Sequence, residues 1–229
     1  MSSKLYRLVK RTPYLWRYAE AFRESFPGSP AYWEARYSKG GNSGAGSYGH
    51  LADFKATILN DFVACNQISS VIEFGCGDGN QLLLATYPRY IGLDVSRSAI
   101  RRCISTFKAD PTKSFFLYDP YCFSDALKVM QADLALSLDV IYHLVEDGIF
   151  HQYMRDLFAS AMRYVIIYSS DHQQDLRNTH VRHRKFSDYV QQSCPEWRLM
   201  QRLENRYPQD KFNEAGSFAD FFVYQRAER

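Results

Sequence analysis

Residues 71–81 read Val-Ile-Glu-Phe-Gly-Cys-Gly-Asp-Gly-Asn-Gln, a short apolar run that leads into three alternate glycines. The run predicts a buried β-strand, and glycines at this spacing let the backbone turn tightly and approach a ligand closely. A helix that starts after such a loop offers free N–H groups to an anionic group. The stretch therefore predicts a ligand-binding loop at the carboxyl end of a strand.

Short apolar runs and helical patterns alternate along the chain around this loop. Alternation of this kind is typical of βαβ units and of a parallel sheet with helices on both faces. The runs that predict strands cover 71–75, 89–94, 114–118, 133–138 and 163–169. The helical patterns between them begin after Gly79 and cover about 97–108, 123–131 and 146–161.

The two ends of the chain follow other patterns. Apolar and polar residues alternate in segments 196–206 and 217–226, which lie on either side of a loop. This pattern predicts an antiparallel hairpin at one sheet edge. The N-terminal residues carry apolar side chains at helical spacing. We predict a doubly wound, mostly parallel seven-stranded α/β domain over 31–229, with an N-terminal helical extension over 1–30.

Composition excludes several classes of function. The 229 residues are 46% hydrophobic and 23% charged, which is ordinary for one globular domain. The chain has a net charge of +3, but its first 24 residues hold six basic and two acidic side chains, so the rest of the chain, with 22 basic and 23 acidic residues, is about neutral. Because domains that bind nucleic acid usually carry a basic excess, we expect no nucleic-acid partner.

Location and metal binding are also constrained by composition. No apolar run approaches the ~20 residues that span a bilayer, so we expect at most a peripheral membrane contact through the basic N-terminus. The five cysteines are scattered, without the spacing of metal ligands. We predict no disulfide framework, no metal site and a cytoplasmic location.

A second strand-end residue extends the signature of the glycine loop. Asp94 ends the second apolar run, 19 residues after Gly75, where a carboxylate can accept from both hydroxyls of a ribose. A dinucleotide loop needs a third glycine where this chain has Asn80, and Glu73 and Asp78 would repel a pyrophosphate. This disfavours a nicotinamide oxidoreductase. The acidic loop suits S-adenosylmethionine, which carries a sulfonium, an ammonium and a carboxylate but no phosphate.

The sequence resembles the class I S-adenosylmethionine-dependent methyltransferases over about residues 33–226. VIEFGCGDGNQ is similar to their first motif, YIGLDVS to the second, and FFLYDP and ADLALSLDVIYHL to the third and fourth blocks. YWEARYSKGG resembles the cap segment that many of them fold over the cofactor. GGNSGAGSYGHLADFKA and HVRHRKF further resemble bacterial methyltransferases of small molecules and cell-surface glycans. The resemblance implies a Rossmann-like fold and S-adenosylmethionine as the cofactor.

The resemblance also implies a role for each matching position. Asp94 would bind the ribose hydroxyls, Val95 would lie against adenine, and Asp119 would accept from the adenine amino group. Leu138 and Asp139 would line the floor beneath the sulfonium, and either Tyr37 or the 40–47 loop would close over the methionyl carboxylate. The full implied cofactor set is Tyr37, Glu73, Gly75, Cys76, Gly77, Asp78, Gly79, Gln81, Asp94, Val95, Asp119, Pro120, Leu138 and Asp139.

Residues that follow the fourth and fifth strands are the candidates on the acceptor side. His143 leaves the fourth strand where it can face the transferred methyl group. A histidine suits proton removal from a hydroxyl because its ordinary pKa is about 6.5; packing or cofactor contact is the open alternative. The catalytic candidates are His143, Asp139 and His183. The acceptor-binding candidates are Tyr48, Tyr142, Asp171, His172, His180 and Arg182.

The arginines of the HVRHRKF segment shape the expected substrate. Guanidinium groups bind carboxylate and phosphate oxygens in pairs, so we expect a small, polar, anionic acceptor: a sugar, a sugar nucleotide or a phosphorylated metabolite. We favour methyl transfer to an oxygen of this acceptor, with transfer to a nitrogen as the alternative. A solvated basic turn is the other interpretation of this segment. Protein or nucleic-acid methylation and a non-catalytic cofactor-binding partner subunit remain alternatives, and the oligomeric state, including a dimer, stays open.

Overall fold

The computed structural model describes residues 26–175, 180–209 and 215–227. The helix predicted within the first 25 residues lies outside these ranges. The described helices are α1 Ser29–Ser38, α2 Gly49–Cys65, α3 Arg97–Thr106, α4 Asp147–Ala159 and α5 Phe186–Ser193. The strands are β1 Val71–Phe74, β2 Tyr90–Asp94, β3 Lys113–Leu117, β4 Ala132–Leu138, β5 Ala161–Ser169, β6 Gln174–Asp175, β7 Arg182–His183, β8 Trp197–Leu203 and β9 Asp220–Arg226.

Seven of these strands form one sheet in the order β3-β2-β1-β4-β5-β9-β8. Strands β1 to β5 are parallel, and β9 runs antiparallel to both β5 and β8. The predicted sheet with its C-terminal hairpin is thereby confirmed. The chain builds outward from β1 to β3 and then returns to build outward from β4, so the strand order reverses between β1 and β4. A crevice at such a reversal is where open α/β sheets bind ligands.

Both faces of the sheet are covered, which explains why its central strands read as continuous apolar runs. Successive residues of β1 point to opposite faces: Ile72 and Phe74 pack with α4, and Val71 packs with α2. The tyrosines Tyr153 of α4 and Tyr168 of β5 are part of these two layers. The core therefore holds the carboxyl ends of β1 and β4 rigidly in place.

Two predicted helices differ from the structure. The pattern after Gly79 yields the short 3₁₀ helix Gln81–Leu84, because proline and the start of β2 follow closely. The helix predicted over 123–131 is wrong. There the Asp125 carboxylate accepts from the backbone N–H groups of residues 129 and 130, each at 2.8 Å. Such local bonds compete with helix formation.

The N-terminal part of the described chain continues across the predicted boundary at residue 30. Helix α1 begins at Ser29 and packs on α3. The division into an extension and a domain stays a prediction, because the first 25 residues lie outside the described ranges. No described helix combines the length and the apolar character needed to cross a membrane.

Candidate cofactor and active site

A cavity lies at the carboxyl ends of β1, β2 and β4, beneath α1 and the loop that follows it. Its empty space, with the open mouth included, is about 830 Å³. Most of the cofactor set implied by the sequence lines it: Tyr37, Glu73, Gly75, Cys76, Gly77, Gln81, Asp94, Val95, Pro120, Leu138 and Asp139.

The glycine loop needs its glycines for two reasons. Gly75 and Gly77 adopt φ angles of 82° and 58°, in the region that favours glycine. A Cβ atom at Gly77 would also lie 2.3 Å from Ser43 Oγ, and one at Gly75 would lie 2.5 Å from the Val140 side chain. The loop backbone therefore contacts both the cavity floor and the loop above it.

Asp94 stands at the end of β2 with its carboxylate held by the backbone. Oδ2 accepts from the Gly77 N–H at 2.9 Å, and Oδ1 accepts from the Ser96 N–H at 2.8 Å. Burial raises the pKa of this carboxyl to about 6. Each oxygen keeps a second lone pair, so the group is pre-oriented to accept two further hydrogen bonds from a ligand.

Glu73 is the second buried carboxylate of the cavity wall. It is 4% exposed and accepts from the Tyr90 hydroxyl at 2.6 Å. Burial raises the pKa of Glu73 to about 7, against the opposing effects of Tyr90 and of the Lys55 ammonium. A cationic ligand group beside Glu73 would therefore stabilise the ionised carboxylate, which burial destabilises.

This raised pKa predicts a pH-dependent effect of Glu73→Gln on stability. Because the folded pKa lies above the ordinary value of 4.5, ionisation penalises the folded state as pH rises through 7, and the penalty is absent at pH 4.5 and below. We expect the variant to have a free energy of unfolding roughly 2–3 kcal/mol higher at pH 8 and unchanged at pH 4.5. Urea unfolding at both pH values measures this; equal stability at pH 8 would contradict it.

The floor of the cavity holds a buried ion pair. Asp139, just after β4, has a left-handed φ of 59°, and its Oδ2 lies 2.6 Å from Lys55 Nζ. Its Oδ1 accepts from the Tyr142 hydroxyl at 2.8 Å. Sequence reasoning missed Lys55, although a signal existed: Lys55 lies midway between Leu51 and Leu59 on the buried stripe of α2. A lysine on an apolar stripe needs a buried partner.

His143 lies in the 3₁₀ helix that follows β4 and lines the cavity. Its Nδ1 is 2.9 Å from the backbone carbonyl oxygen of His180. Because a carbonyl can only accept, Nδ1 carries the proton and the lone pair remains on Nε2. Burial lowers the pKa of His143 to about 4, against the opposing effects of the hydrogen bond to the His180 carbonyl and of Asp139; the charges of the His180 ring and of Arg36 lower the pKa further. The imidazole is therefore neutral near pH 7.

Helix α1 forms a lid that is tied down at two points along its length. The Glu146 carboxylate accepts from the Ser29 N–H at 2.8 Å and from its hydroxyl at 2.6 Å. Near the middle of α1, Glu34 accepts from the hydroxyls of Ser96 and Ser98 at the start of α3. The lid carries Trp33 and Tyr37 over the cavity, as the resemblance to a cap segment predicted for this stretch.

Asp78 of the glycine loop lies outside the cavity wall and binds the loop that follows α1. Its carboxylate accepts from the N–H and hydroxyl of Ser43 and from the Tyr48 hydroxyl, at 2.8–3.0 Å. Burial acts to raise the pKa of Asp78, but these hydrogen bonds outweigh it and hold the pKa below its usual value. Tyr48, an acceptor candidate, thus contacts the cofactor loop. Gly79 also lies outside the cavity wall, against Cys103 of α3.

The remaining candidates lie away from the cavity wall in the described part of the chain. Asp119 is exposed and accepts from the Tyr121 N–H. Asp171 accepts from a backbone N–H at the start of α5. His183 is buried, and its Nδ1 lies 2.7 Å from the Ser170 hydroxyl oxygen. The exposed His172 ring stacks on the His183 ring, with centroids 4.5 Å apart.

The Arg182 guanidinium also binds groups of the protein away from the cavity wall. Its Nη1 donates to Asp147 at 3.0 Å and to the Val145 carbonyl at 2.9 Å. The structure therefore brings together most of the implied cofactor set with Asp139 and His143, and Tyr142 stands directly behind them. It does not bring the HVRHRKF arginines to the cavity.

Solved structures with the same architecture include methyltransferases. The N-methyltransferase NodS from Bradyrhizobium japonicum WM9, in complex with S-adenosyl-L-homocysteine, has a TM-score of 0.66 at 14% identity, covering 88% of this chain and 100% of that chain. The methyltransferase domain of bacterial CtHen1 has a TM-score of 0.59 at 21% identity, covering 76% of this chain and 97% of that chain. Magnesium protoporphyrin IX methyltransferase from Synechocystis PCC 6803 with bound S-adenosyl-L-homocysteine has a TM-score of 0.57 at 14% identity. The match covers 76% of this chain and 83% of that chain.

No family model and no curated protein sequence matches the chain. The likeness to solved structures is therefore one of fold, and it covers most of the described residues. The chain has the fold of the class I S-adenosylmethionine-dependent methyltransferases, as the sequence predicted.

Proposed function

We propose that this chain is an S-adenosylmethionine-dependent methyltransferase that acts on a hydroxyl oxygen of a small polar acceptor. The observation that carries the proposal is the convergence of the glycine loop and the pre-oriented Asp94 carboxylate on one lidded cavity at the reversal of strand order. Bound S-adenosylmethionine would supply an electrophilic methyl group. NodS and magnesium protoporphyrin IX methyltransferase, which share this fold, were solved with S-adenosyl-L-homocysteine bound.

The residues of the cavity fit this cofactor. Gln81 Oε1 is buried in the cavity wall and has no hydrogen-bond partner among the described residues, so it can accept from an ammonium group. Glu73 and Asp94 offer negative charge to a cationic ligand, and a pyrophosphate would be repelled there. Val95 and Pro120 provide an apolar surface for a flat base.

His143 is the residue best suited to remove the acceptor proton. Its ring lines the cavity, it is neutral near pH 7, and its Nε2 lone pair is free to accept a proton. Methyl transfer to a hydroxyl needs that step, because the oxygen must lose its proton as the new carbon–oxygen bond forms. Asp139 shares the cavity and can accept a hydrogen bond from a second polar group of the acceptor.

The structure changes what is expected of the acceptor's charge. The anionic acceptor was predicted from the HVRHRKF arginines, and Arg182 and Arg184 both donate to Asp147 and to neighbouring carbonyls. The ammonium of Lys55 is paired with Asp139. We therefore propose a polar hydroxylated acceptor and treat its anionic character as an outcome for a substrate screen that contains neutral and phosphorylated compounds.

Asp94→Asn tests the cofactor site directly. The variant keeps an acceptor for one backbone N–H but loses the charge that strengthens hydrogen bonds to ribose hydroxyls, so S-adenosylhomocysteine affinity should fall by about 10- to 150-fold. Calorimetric titration measures it. Asp110→Asn is the matched control, because Asp110 is a partly exposed carboxylate in the turn before β3, away from the cavity wall, and it should bind like the wild type. Binding of NADH in place of S-adenosylhomocysteine would reject the proposal.

A further inference from the structure

Two arginines bind the turn that follows His143. Arg184 donates from Nε to the Leu144 carbonyl at 3.1 Å, from Nη2 to the Val145 carbonyl at 2.8 Å and from Nη1 to Asp147 at 2.6 Å. Arg182 donates to the same Val145 carbonyl and the same carboxylate. All of these acceptors follow His143 within four residues, so the two guanidinium groups join segment 180–184 to one turn.

The same segment contacts the His143 ring itself. The His180 carbonyl binds Nδ1 at 2.9 Å, and the two imidazoles stack with their centroids 5.2 Å apart at 12°. Tyr32 of the lid stacks on the His180 ring, with centroids 4.6 Å apart at 13°. His143 is thus held through its ring face and through one nitrogen.

Planar guanidinium groups fix the geometry between two segments because their donors form a rigid fork. Arg184 is 7% exposed, so its position depends on these partners. We infer that His180, Arg182 and Arg184 form a brace that sets the tautomer of His143: the brace holds the His180 carbonyl against Nδ1 and so leaves the lone pair on Nε2. The catalytic consequence rests on the proposed function, in which Nε2 accepts the acceptor proton.

The brace predicts that a change outside the cavity alters the protonation pattern of His143. In Arg184→Met the brace loses three hydrogen bonds, while methionine can retain apolar contact with the Phe150 ring, whose centroid lies 4.6 Å from the guanidinium carbon. We expect the ratio of the Nδ1–H to the Nε2–H tautomer to fall by several-fold to about tenfold, the range produced by loss of one hydrogen bond.

The experiment uses the full chain with ¹⁵N-labelled histidine, and long-range ¹H–¹⁵N spectra report which nitrogen carries the proton. The His143 signals are assigned by their absence in His143→Asn. Lys185→Met is the matched control: Lys185 belongs to the same segment but pairs with Asp188 at the surface, away from the turn. The control should keep the wild-type ratio.

Asp147→Ala provides a second variant that is expected to fold, because the Asp147 side chain is largely exposed while it pairs with both arginines. An unchanged tautomer ratio in both variants would overturn the brace. With an acceptor that the wild type methylates, kcat of Arg184→Met should fall several-fold, by no more than the tautomer ratio falls, at unchanged KM; a shifted tautomer with unchanged kcat would overturn its catalytic consequence. The tautomer is measured without turnover, so failure of the wild type to bind S-adenosylhomocysteine rejects the proposed function separately.

Discussion

His143→Asn should lower kcat for methyl transfer by about 10²–10⁴-fold, the usual contribution of a general base, while S-adenosylhomocysteine affinity stays unchanged. Asparagine can still donate a hydrogen bond to the His180 carbonyl from the region that Nδ1 occupies, so the variant separates proton removal from packing. If His143 serves packing alone, this substitution should cost little activity.

The assay follows transfer of a labelled methyl group to whichever hydroxylated acceptor the wild type methylates. His151→Asn is the matched control, because His151 is an exposed histidine of α4 that stacks on Tyr189. Since a base works when deprotonated and burial lowers the pKa of His143 to about 4, the rise of kcat/KM with pH, which reports the free enzyme, should lie near pH 4 and leave neutral pH on the plateau. Wild-type turnover by His143→Asn would assign the base elsewhere.

Asp139→Ala should lower the free energy of unfolding by about 3–5 kcal/mol, because it leaves the ammonium of Lys55 buried without its partner. Lys55 is 0% exposed, and its Nζ lies 2.6 Å from the carboxylate. The double variant Lys55→Met/Asp139→Ala removes both charges and should recover most of the loss, since replacing a buried pair with apolar side chains is often neutral.

Urea unfolding of the two variants measures how much of the loss comes from leaving the Lys55 ammonium without its partner. Arg202→Met is the matched control, because Arg202 pairs with Asp220 at the exposed sheet edge and lies over the Phe222 ring. Exposed pairs contribute about 0–1 kcal/mol. A single and a double variant of equal stability would mean that Lys55 finds another partner, and the pair would then not organise the cavity floor.

The strand pattern and the glycine loop were readable from the sequence because their signals are local. A buried parallel strand needs an apolar run, and a loop that approaches a ligand needs glycine where a Cβ would collide, as at Gly77. Asp94 was predictable because its distance from the loop is set by one βαβ unit. The helix over 123–131 was mispredicted because one side chain, Asp125, bonds to the backbone there.

Local periodicity shows which face of an element is buried but not which distant side chain it meets. Lys55 finds Asp139 across 84 residues, and His143 finds the His180 carbonyl across 37, because the folded sheet and lid bring these segments together. The HVRHRKF arginines could be recognised from the sequence as anion-binding side chains. The tertiary structure alone decided that Arg182 and Arg184 bind Asp147 and two carbonyls, since the partner of a charged side chain is set by which segments the sheet places side by side.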